Sequence, residues 1–446
     1  MKLLFANPPW WGEHPFPWQG IRAGSRWPFT RQRAFEPDLF RFGSYMPFPF
    51  FLASAAGHVA RECEDIGVAV RDSVARGESY TSFLRAVMNF APDAMVVEVG
   101  AASWEHDRNF LRMVKQAIPK LRIAIAGPTA RTVAVEADFD AYLLGEYEHA
   151  SVAFARGKDG VIDPRLLTVA ELKEAAFPMF DERAALHYWD GCPKGQQAPH
   201  LQLFASRGCP YRCCFCAWPA TMTGNDPDGN GKRSVRFYSV QWLEDFIRMR
   251  MDVAAHVHDQ PMRSIYFDDD TFNLSDRHVL DVCEMMKRIG LPWSAMCRAD
   301  TSKRETWQAM RESGCFGVKL GFESASQRVV DEIVGKNLNI AEGIETARWL
   351  RSIGMTVHGT FTVGLPGEKD AERIATSEFI KRHWVDSGGD ALDTYQLSGT
   401  ATIEGTPLDR IAHGEKLAKF PGATPLNFEV NADGLRKLTE MKGGGQ

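Results

Sequence analysis

Cys209, Cys213 and Cys216 stand at C-x3-C-x2-C spacing directly after the apolar run Leu201-Gln-Leu-Phe-Ala-Ser-Arg-Gly. Three thiolates on one short loop can hold three irons of a four-iron cluster. Each iron of such a cube normally takes one cysteine, so the fourth iron stays open to a small-molecule ligand. Cys214 lies inside the segment but off the spacing, and is not expected to be a ligand. A structural zinc site would bring a second knuckle of Cys or His, and none is present. A disulfide framework needs an oxidising compartment, whereas Met-Lys-Leu-Leu-Phe-Ala-Asn-Pro-Pro opens as a strand and not as a secretory leader.

The elements around this loop place other reactive groups. From His200 on, strands at Gln202–Ser206, Ser264–Asp268, Trp293–Cys297, Gly317–Phe322, Thr356–Val363 and Asp393–Leu397 alternate with helices. The pattern predicts a partial (β/α)6 barrel over 198–400, with its chemistry at the C-terminal strand ends. Polar or glycine-rich residues close the strands: Asp268-Asp269-Asp270-Thr271, Arg298-Ala299-Asp300, Gly321-Phe-Glu323-Ser324 and Gly364-Leu-Pro-Gly367-Glu368. Strand alternation puts Lys319 on the parity of Glu323, as neighbour or partner. His358, Tyr395, Cys297 and Glu404 are candidates for substrate chemistry, with core or rim packing as their other reading.

Residues 1–150 alternate strands (Lys2–Ala6, Val68–Arg71, Ala94–Val99, Arg122–Ala126, Ala141–Leu144) with amphipathic helices, which predicts a Rossmann-like, doubly wound parallel sheet binding ligands at its carboxyl edge. An insert over 10–51 interleaves Trp10, Trp11, Trp18, Trp27 and Phe29 with Arg22, Arg26, Arg31, Arg33 and Arg41. It could cover a flat ligand, hold an anionic group or pack over the junction of the two halves. A proline-containing connector over 151–197 joins the halves, and 401–446 forms a short extension.

The cysteine spacing and the order of strand ends resemble the radical S-adenosylmethionine (SAM) enzymes. That resemblance implies a [4Fe–4S] cluster whose open iron chelates SAM and cleaves it reductively to a 5′-deoxyadenosyl radical. It also implies that a carboxylate among Asp268, Asp269 and Asp270 meets the SAM ammonium, with helix capping or a magnesium site as the other readings of the triplet. Arg298 then forks onto the methionyl carboxylate, Glu323 and Ser324 meet the ribose and amino group, and the backbone at Phe215 and Gly364 approaches SAM.

The first segment is similar to the cobalamin-binding domains that precede many radical SAM cores, on Asn7-Pro8-Pro9, Asp72, Gly127-Pro128 and Gly145-Glu146. Cobalamin would touch the loops after Ala6, Val99, Ala126 and Leu144, including Ser103. The D-x-H-x-x-G signature is absent and Ala126-Gly127-Pro128-Thr129 stands where relatives often carry Gly-Gly-Pro-His, so no His is expected beneath the cobalt.

The combination resembles the cobalamin-dependent methylases, class B in type, in which one SAM methylates the corrinoid and another generates the radical that activates an unactivated carbon. Radical cyclisation or rearrangement, carbon–carbon coupling with a cobalamin-free first domain, and a non-catalytic corrinoid or redox sensor are the alternatives. A flavodoxin- or ferredoxin-type electron donor is implied. The substrate stays open among lipid, tetrapyrrole, sugar-like and peptide classes.

A formal charge of -5 supplies no basic field for nucleic acid. No apolar run reaches the roughly 18 residues of a membrane span. Nine scattered cysteines fit a reducing, cytoplasmic setting.

Overall fold

The computed structural model describes residues 1–10, 45–100, 103–217, 235–400, 402–403 and 405–424. Most of the aromatic and arginine insert, together with Glu404 and the end of the extension, lies outside these residues. Among the described residues no helix is long and apolar enough to cross a membrane.

The first half contains β1 (Lys2–Asn7), a short β2 (Tyr45–Met46), β3 (Gly67–Asp72), β4 (Ala94–Glu98), β5 (Arg122–Ala126), β6 (Ala141–Leu143), β7 (Gly160–Ile162) and a short β8 (Trp189–Asp190). Six of them form one parallel sheet in the order β3-β1-β4-β5-β6-β7. All five residues of Ala94–Glu98 are buried, as expected where helices cover both faces of a parallel sheet and strands become continuous apolar runs. The helix Phe50–Glu62 packs on one face, and Trp104–Ala117 contributes to the core on the other. β7 extends this sheet into the predicted connector. Two of its three residues are exposed, so it carries no hydrophobic pattern to read.

The second half runs through β9 (His200–Leu203), β10 (Ser206–Arg207), β11 (Arg236–Phe237), β12 (Ser264–Phe267), β13 (Trp293–Cys297), β14 (Cys315–Glu323), β15 (Thr356–Val363) and β16 (Thr394–Gly399). Six parallel strands stand in the sequential order β9-β12-β13-β14-β15-β16. This is the expected six-stranded parallel core, each strand reached by a helical crossover. Side-chain alternation then divides the strands. Leu201, Ile265, Ala295, Val318 and Val357 join the large apolar core. His200, Gln202, Tyr266, Ser294, Lys319 and His358 share the opposite parity and line the inner wall.

Residues 46–51, the end of the predicted insert, lie at the junction. Phe48 stacks on Phe180 at 4.1 Å, and Phe50 meets Phe204 at 4.7 Å. Gln202 on the inner wall accepts from the Phe48 N–H at 2.9 Å, and β2 pairs with β8. This short two-stranded piece is therefore tied to the barrel wall.

Candidate active site

β10 pairs antiparallel with β11, and Gly208, at φ +88°, turns the chain into Cys209. Glycine adopts such a φ without the steric cost that a Cβ brings. Cys209 is buried, with its Sγ 3.6 Å from Thr271 Oγ1 on the loop after β12. Cys213 and Cys216 are partly exposed. Burial and the neighbouring Asp270 push the Cys209 thiol up to about 11; iron ligation would convert such a thiol to thiolate.

Cys214 turns the other way. It is fully buried and packs with Leu408, Ile411 and Phe420. Its N–H donates to Val334 O and its carbonyl accepts from Leu408 N–H, both at 2.9 Å. A cube binds each cysteine at a separate corner, so the three ligands need not converge as those of one ion do. Among the described residues no three His, Cys, Asp or Glu side chains converge in that single-ion manner.

The acidic triplet after β12 divides into three surroundings. Asp268 is buried and its N–H continues the ladder to Leu203 O at 2.8 Å. Asp269 accepts from Ala205 N–H at 3.0 Å and from Ser206 Oγ at 2.5 Å. Its carboxylate thus ties the end of β12 to the start of the cysteine segment. Burial outweighs these hydrogen bonds and pushes Asp269 up to about 7. Asp270 is partly buried beside Cys209. None of the three caps the following helix, whose N-cap is Ser275.

Arg298 is expected to face a carboxylate, and in the structure that carboxylate is Asp300, held through Nε and Nη2 at 2.8 Å each. Its guanidinium lies 3.7 Å from the ring centroid of Tyr211, inside the cysteine loop, and donates to Lys336 O at 3.1 Å. Glu323 pairs with Lys336 Nζ at 2.7 Å and accepts from Thr362 Oγ1 at 3.3 Å. Lys336 was not singled out by the sequence. The expected neighbour Lys319 pairs instead with Asp190 on β8, four residues down the strand and past a register shift between Gly321 and Glu323. Gly321 makes the Glu323–Lys336 pair possible, since a Cβ there would lie 2.4 Å from Lys336 Nζ and 2.6 Å from Glu323 Oε1. The Ser324 hydroxyl is fully buried, 3.1 Å from Thr376 Oγ1, and accepts from Ser326 N–H. It braces a turn.

Phe215 packs beside Val329, Ile333, Val334 and Leu365, which brings the cysteine loop against the turn that opens at Gly364. That turn is held by Glu368, whose Oε2 accepts from Gly364 N–H at 2.6 Å and Leu365 N–H at 3.2 Å. Segment 405–424 then straps the region. A Cβ at Gly367 would lie 2.4 Å from Gly422 O, and Gly422 N–H donates to Glu332 O.

Glu368 offers a pH test. Burial pushes it up to about 7 against the pull of the two backbone N–H groups. Its unfolded-state value is near 4.5, so the folded state holds the extra proton between the two values. This group's contribution to stability is complete below the unfolded pKa and is lost as pH rises through 7. Glu368→Gln should therefore flatten the fall of the urea-derived unfolding free energy between pH 5 and pH 8 by up to roughly 3 kcal/mol. Asp269, raised through the same window, leaves a residual slope in the variant. Superimposable pH profiles for the two proteins would exclude the raised Glu368.

The candidates for substrate chemistry separate by strand parity. His358 lies on the inner wall, buried, with Nδ1 2.8 Å from Thr394 Oγ1. Burial and then Lys319 lower its pKa to about 3, so the ring is neutral. Cys297 is buried in the apolar core under the helices, where burial raises its thiol well above the usual range. Tyr395 packs against the same core and edge-on to Trp384 at 5.1 Å. Both face away from the inner wall: Cys297 pairs with Leu320, next to the inward Lys319, and Tyr395 follows the inward Thr394. The inner wall also carries a buried ion pair that the sequence did not reveal, Lys319 with Asp190, with Lys319 Nζ 4.8 Å from the centroid of Tyr266.

At the C-terminal edge of the first sheet, Asn7 ends β1 and Gly127 follows β5. Gly127 has φ +100° and a Cβ there would lie 2.6 Å from Val99 O. Asn7 Oδ1 and Thr129 Oγ1 are buried without a hydrogen-bond partner among the described residues. Polar atoms buried in this way are costly unless a ligand or water satisfies them, so the edge is suited to a large polar ligand. Pro8 and Pro128 are buried and Gly145 has φ +63°. Ser103 is turned inward, its Oγ 3.2 Å from Gly100 N and O. Glu146 is not at the disposal of a cofactor: its carboxylate is fully buried against Arg236 and Arg207.

Comparison with known proteins agrees with this geometry. Residues 203–380 match the model of the radical SAM superfamily. The chain is 25% identical over 363 residues to an uncharacterized methyltransferase of Pyrococcus horikoshii, covering 76% of this chain and 74% of the relative. It is 29% identical over 239 residues to the cytidylyl-2-hydroxyethylphosphonate methyltransferase of Streptomyces wedmorensis, covering 50% of this chain but only 41% of that enzyme. Among solved structures it is similar in fold to the radical SAM methyltransferase TsrM of Kitasatospora setae with cobalamin and [4Fe–4S] cluster bound, at a TM-score of 0.60 and 16% identity, over 96% of this chain and 83% of that one.

Proposed function

We propose, because residues 203–380 match the model of the radical SAM superfamily, that the chain is a cobalamin-dependent radical SAM methyltransferase acting on an unactivated carbon. The observation that carries this reading is the junction of the halves. Buried ion pairs from Glu146 and Glu148 to Arg207 and Arg236 bring the C-terminal edge of the first sheet against the base of the cysteine loop. When bound, the cluster and SAM supply a hydrogen-abstracting radical, and the corrinoid supplies the methyl group.

The chain's own part is to hold, orient and exclude water. Cys209, Cys213 and Cys216 hold the cluster. Glu323, with Lys336 beside it, offers a carboxylate to the polar end of SAM. Arg298, fixed by Asp300 and stacked on Tyr211, steadies the loop, and the Gly364 turn lets backbone approach the nucleoside. Asn7, Pro8, Gly127, Pro128 and Gly145 line the corrinoid face, with Asn7 Oδ1 and Thr129 Oγ1 free to accept from its amide side chains. Thr129 follows Gly127-Pro128, so no His ligand to the cobalt is expected from the described strand-end loops. His358 and Lys319 lie on the chamber wall where substrate would rest. A flavodoxin- or ferredoxin-type protein supplies the electron.

The decisive test uses anaerobically purified, cluster-reconstituted protein titrated with hydroxocobalamin. Uptake of about one corrinoid per chain, a cob(II)alamin spin spectrum without a protein nitrogen ligand, and 5′-deoxyadenosine formation from SAM with dithionite are expected. SAM cleavage without corrinoid uptake would remove the methyltransferase reading in favour of cyclisation or coupling chemistry.

A further inference from the structure

Arg207 sits two residues before Cys209, on β10, and is among the largest fully buried side chains of the protein. Its Nη1 reaches Glu148 and, at 3.4 Å, Glu146, while its Nε donates to Tyr238 OH at 2.8 Å. The guanidinium lies 4.9 Å from the centroid of the Phe51 ring. Arg236, opposite Arg207 in the β10–β11 pair, takes both oxygens of Glu146 and donates to Leu167 O at 2.6 Å. Both glutamates come from the loop and helix start that follow β6. Between them Tyr147 donates its phenol proton to Glu98, at the end of β4. The segment after β6, anchored to β4 through Tyr147 and Glu98, is thus ion-paired through Glu146 and Glu148 to Arg207, two residues before the first motif cysteine.

Four buried charges in so small a space are not the cheapest way to join two apolar surfaces. Desolvation often leaves such pairs no more stable than well-packed apolar side chains, whereas forked guanidinium–carboxylate contacts fix distance and angle. We propose that Arg207, Arg236, Glu146 and Glu148 form a clamp that sets the cysteine loop at a fixed position relative to the C-terminal edge of the first sheet, with Arg207 as a positioning residue for the reaction. The clamp rests on the methyltransferase reading only where it concerns cobalamin; its hold on the cluster loop stands without it.

Three variants of the full chain test the clamp: Arg207→Lys, which keeps the charge but loses the fork, Glu148→Gln, and the double Glu148→Gln/Arg207→Gln, which removes the charge mismatch as well as the contact. Each is reconstituted with iron and sulfide, and iron loss to a chelator is timed alongside the spin spectrum of the reduced cluster. Arg207→Lys and the double variant should both lose iron about tenfold faster than the unaltered protein, a change of about 1.4 kcal/mol, and show altered cluster spectra. Should Glu148→Gln fail to fold through its uncompensated Arg207, Arg207→Lys decides alone. Iron retention and spectra at unaltered values in Arg207→Lys, or their full recovery in the double variant, would overturn the clamp and reduce the cluster to charge balance. Hydroxocobalamin affinity should fall in the same variants. If the unaltered protein takes up none, the methyltransferase reading fails while the iron measurements still decide the clamp.

Discussion

Alanine at Cys209, Cys213 or Cys216 should abolish both cluster iron and 5′-deoxyadenosine formation, while Cys214→Ala should keep both. The contrast between adjacent cysteines is what makes the experiment sharp. Each of the three at the motif spacing would hold one corner of a cube, and a cube left with two protein ligands would be exposed to chelation and oxidation. Cys214 instead fills a small apolar pocket with Leu408, Ile411 and Phe420. Its loss removes a buried group about the size of one or two methylenes, which costs on the order of 1 kcal/mol, not a ligand. A lower melting temperature with full iron content is therefore the expected signature of Cys214→Ala. Retention of the cluster in Cys213→Ala together with its loss in Cys214→Ala would reassign the ligands.

Glu323→Gln should weaken SAM binding by about ten- to a hundredfold, the loss of one charge-assisted hydrogen bond at roughly 1.5–3 kcal/mol. The cluster should survive, because Glu323 touches Lys336 and Thr362 and no cysteine among its hydrogen-bond partners. Gln keeps the volume beside Gly321, where little room is left, so steric disturbance is small. The variant also leaves the Lys336 ammonium without its carboxylate, and removing one partner of a buried pair costs several kcal/mol. Lys336→Met separates the two effects, since it should lower stability while leaving the Glu323 carboxylate in place. Equilibrium SAM binding with iron quantified on the same sample reads the result. Unchanged affinity in Glu323→Gln with an intact cluster would take this carboxylate out of the SAM site.

Much of the first sheet was legible because parallel strands covered on both faces become continuous apolar runs, and Ala94–Glu98 needs no partner to be recognised. β7 was not legible, since an edge strand of three residues with two exposed carries no such run. In the fold, strand alternation puts Lys319 and His358 on the inner wall and Cys297 and Tyr395 toward the helices, a division that grouping His358, Cys297 and Tyr395 as substrate candidates overlooks. What sequence could not supply was pairing at a distance. Lys319 and Asp190 are 129 positions apart, and Arg236 and Glu146 are 90 apart. Lys319 was matched to Glu323 because strand alternation gives the two the same parity, which says nothing of a carboxylate arriving from another element. Lys336 carried no signal of its own, although Gly321 marked the space that its ammonium fills. Likewise the Asp268–Asp270 triplet reads as one acidic motif, but only the fold shows that Asp269 is spent on the backbone of the neighbouring strand.

The strap formed by residues 405–424 covers the inner face of the cysteine loop through Leu408, Ile411 and Phe420 and supports the Gly367 turn through Gly422. Domains take shape as the chain emerges from the ribosome, N-terminal parts first, and here the loop's cover is made roughly two hundred residues after the cysteines themselves. Between their own synthesis and that of the strap, the motif cysteines and Cys214 sit on a loop that lacks its cover. Closure of that loop is therefore a late event in the life of the polypeptide, and the order in which iron arrives and the strap docks becomes a question of timing during biogenesis rather than of affinity in the finished protein.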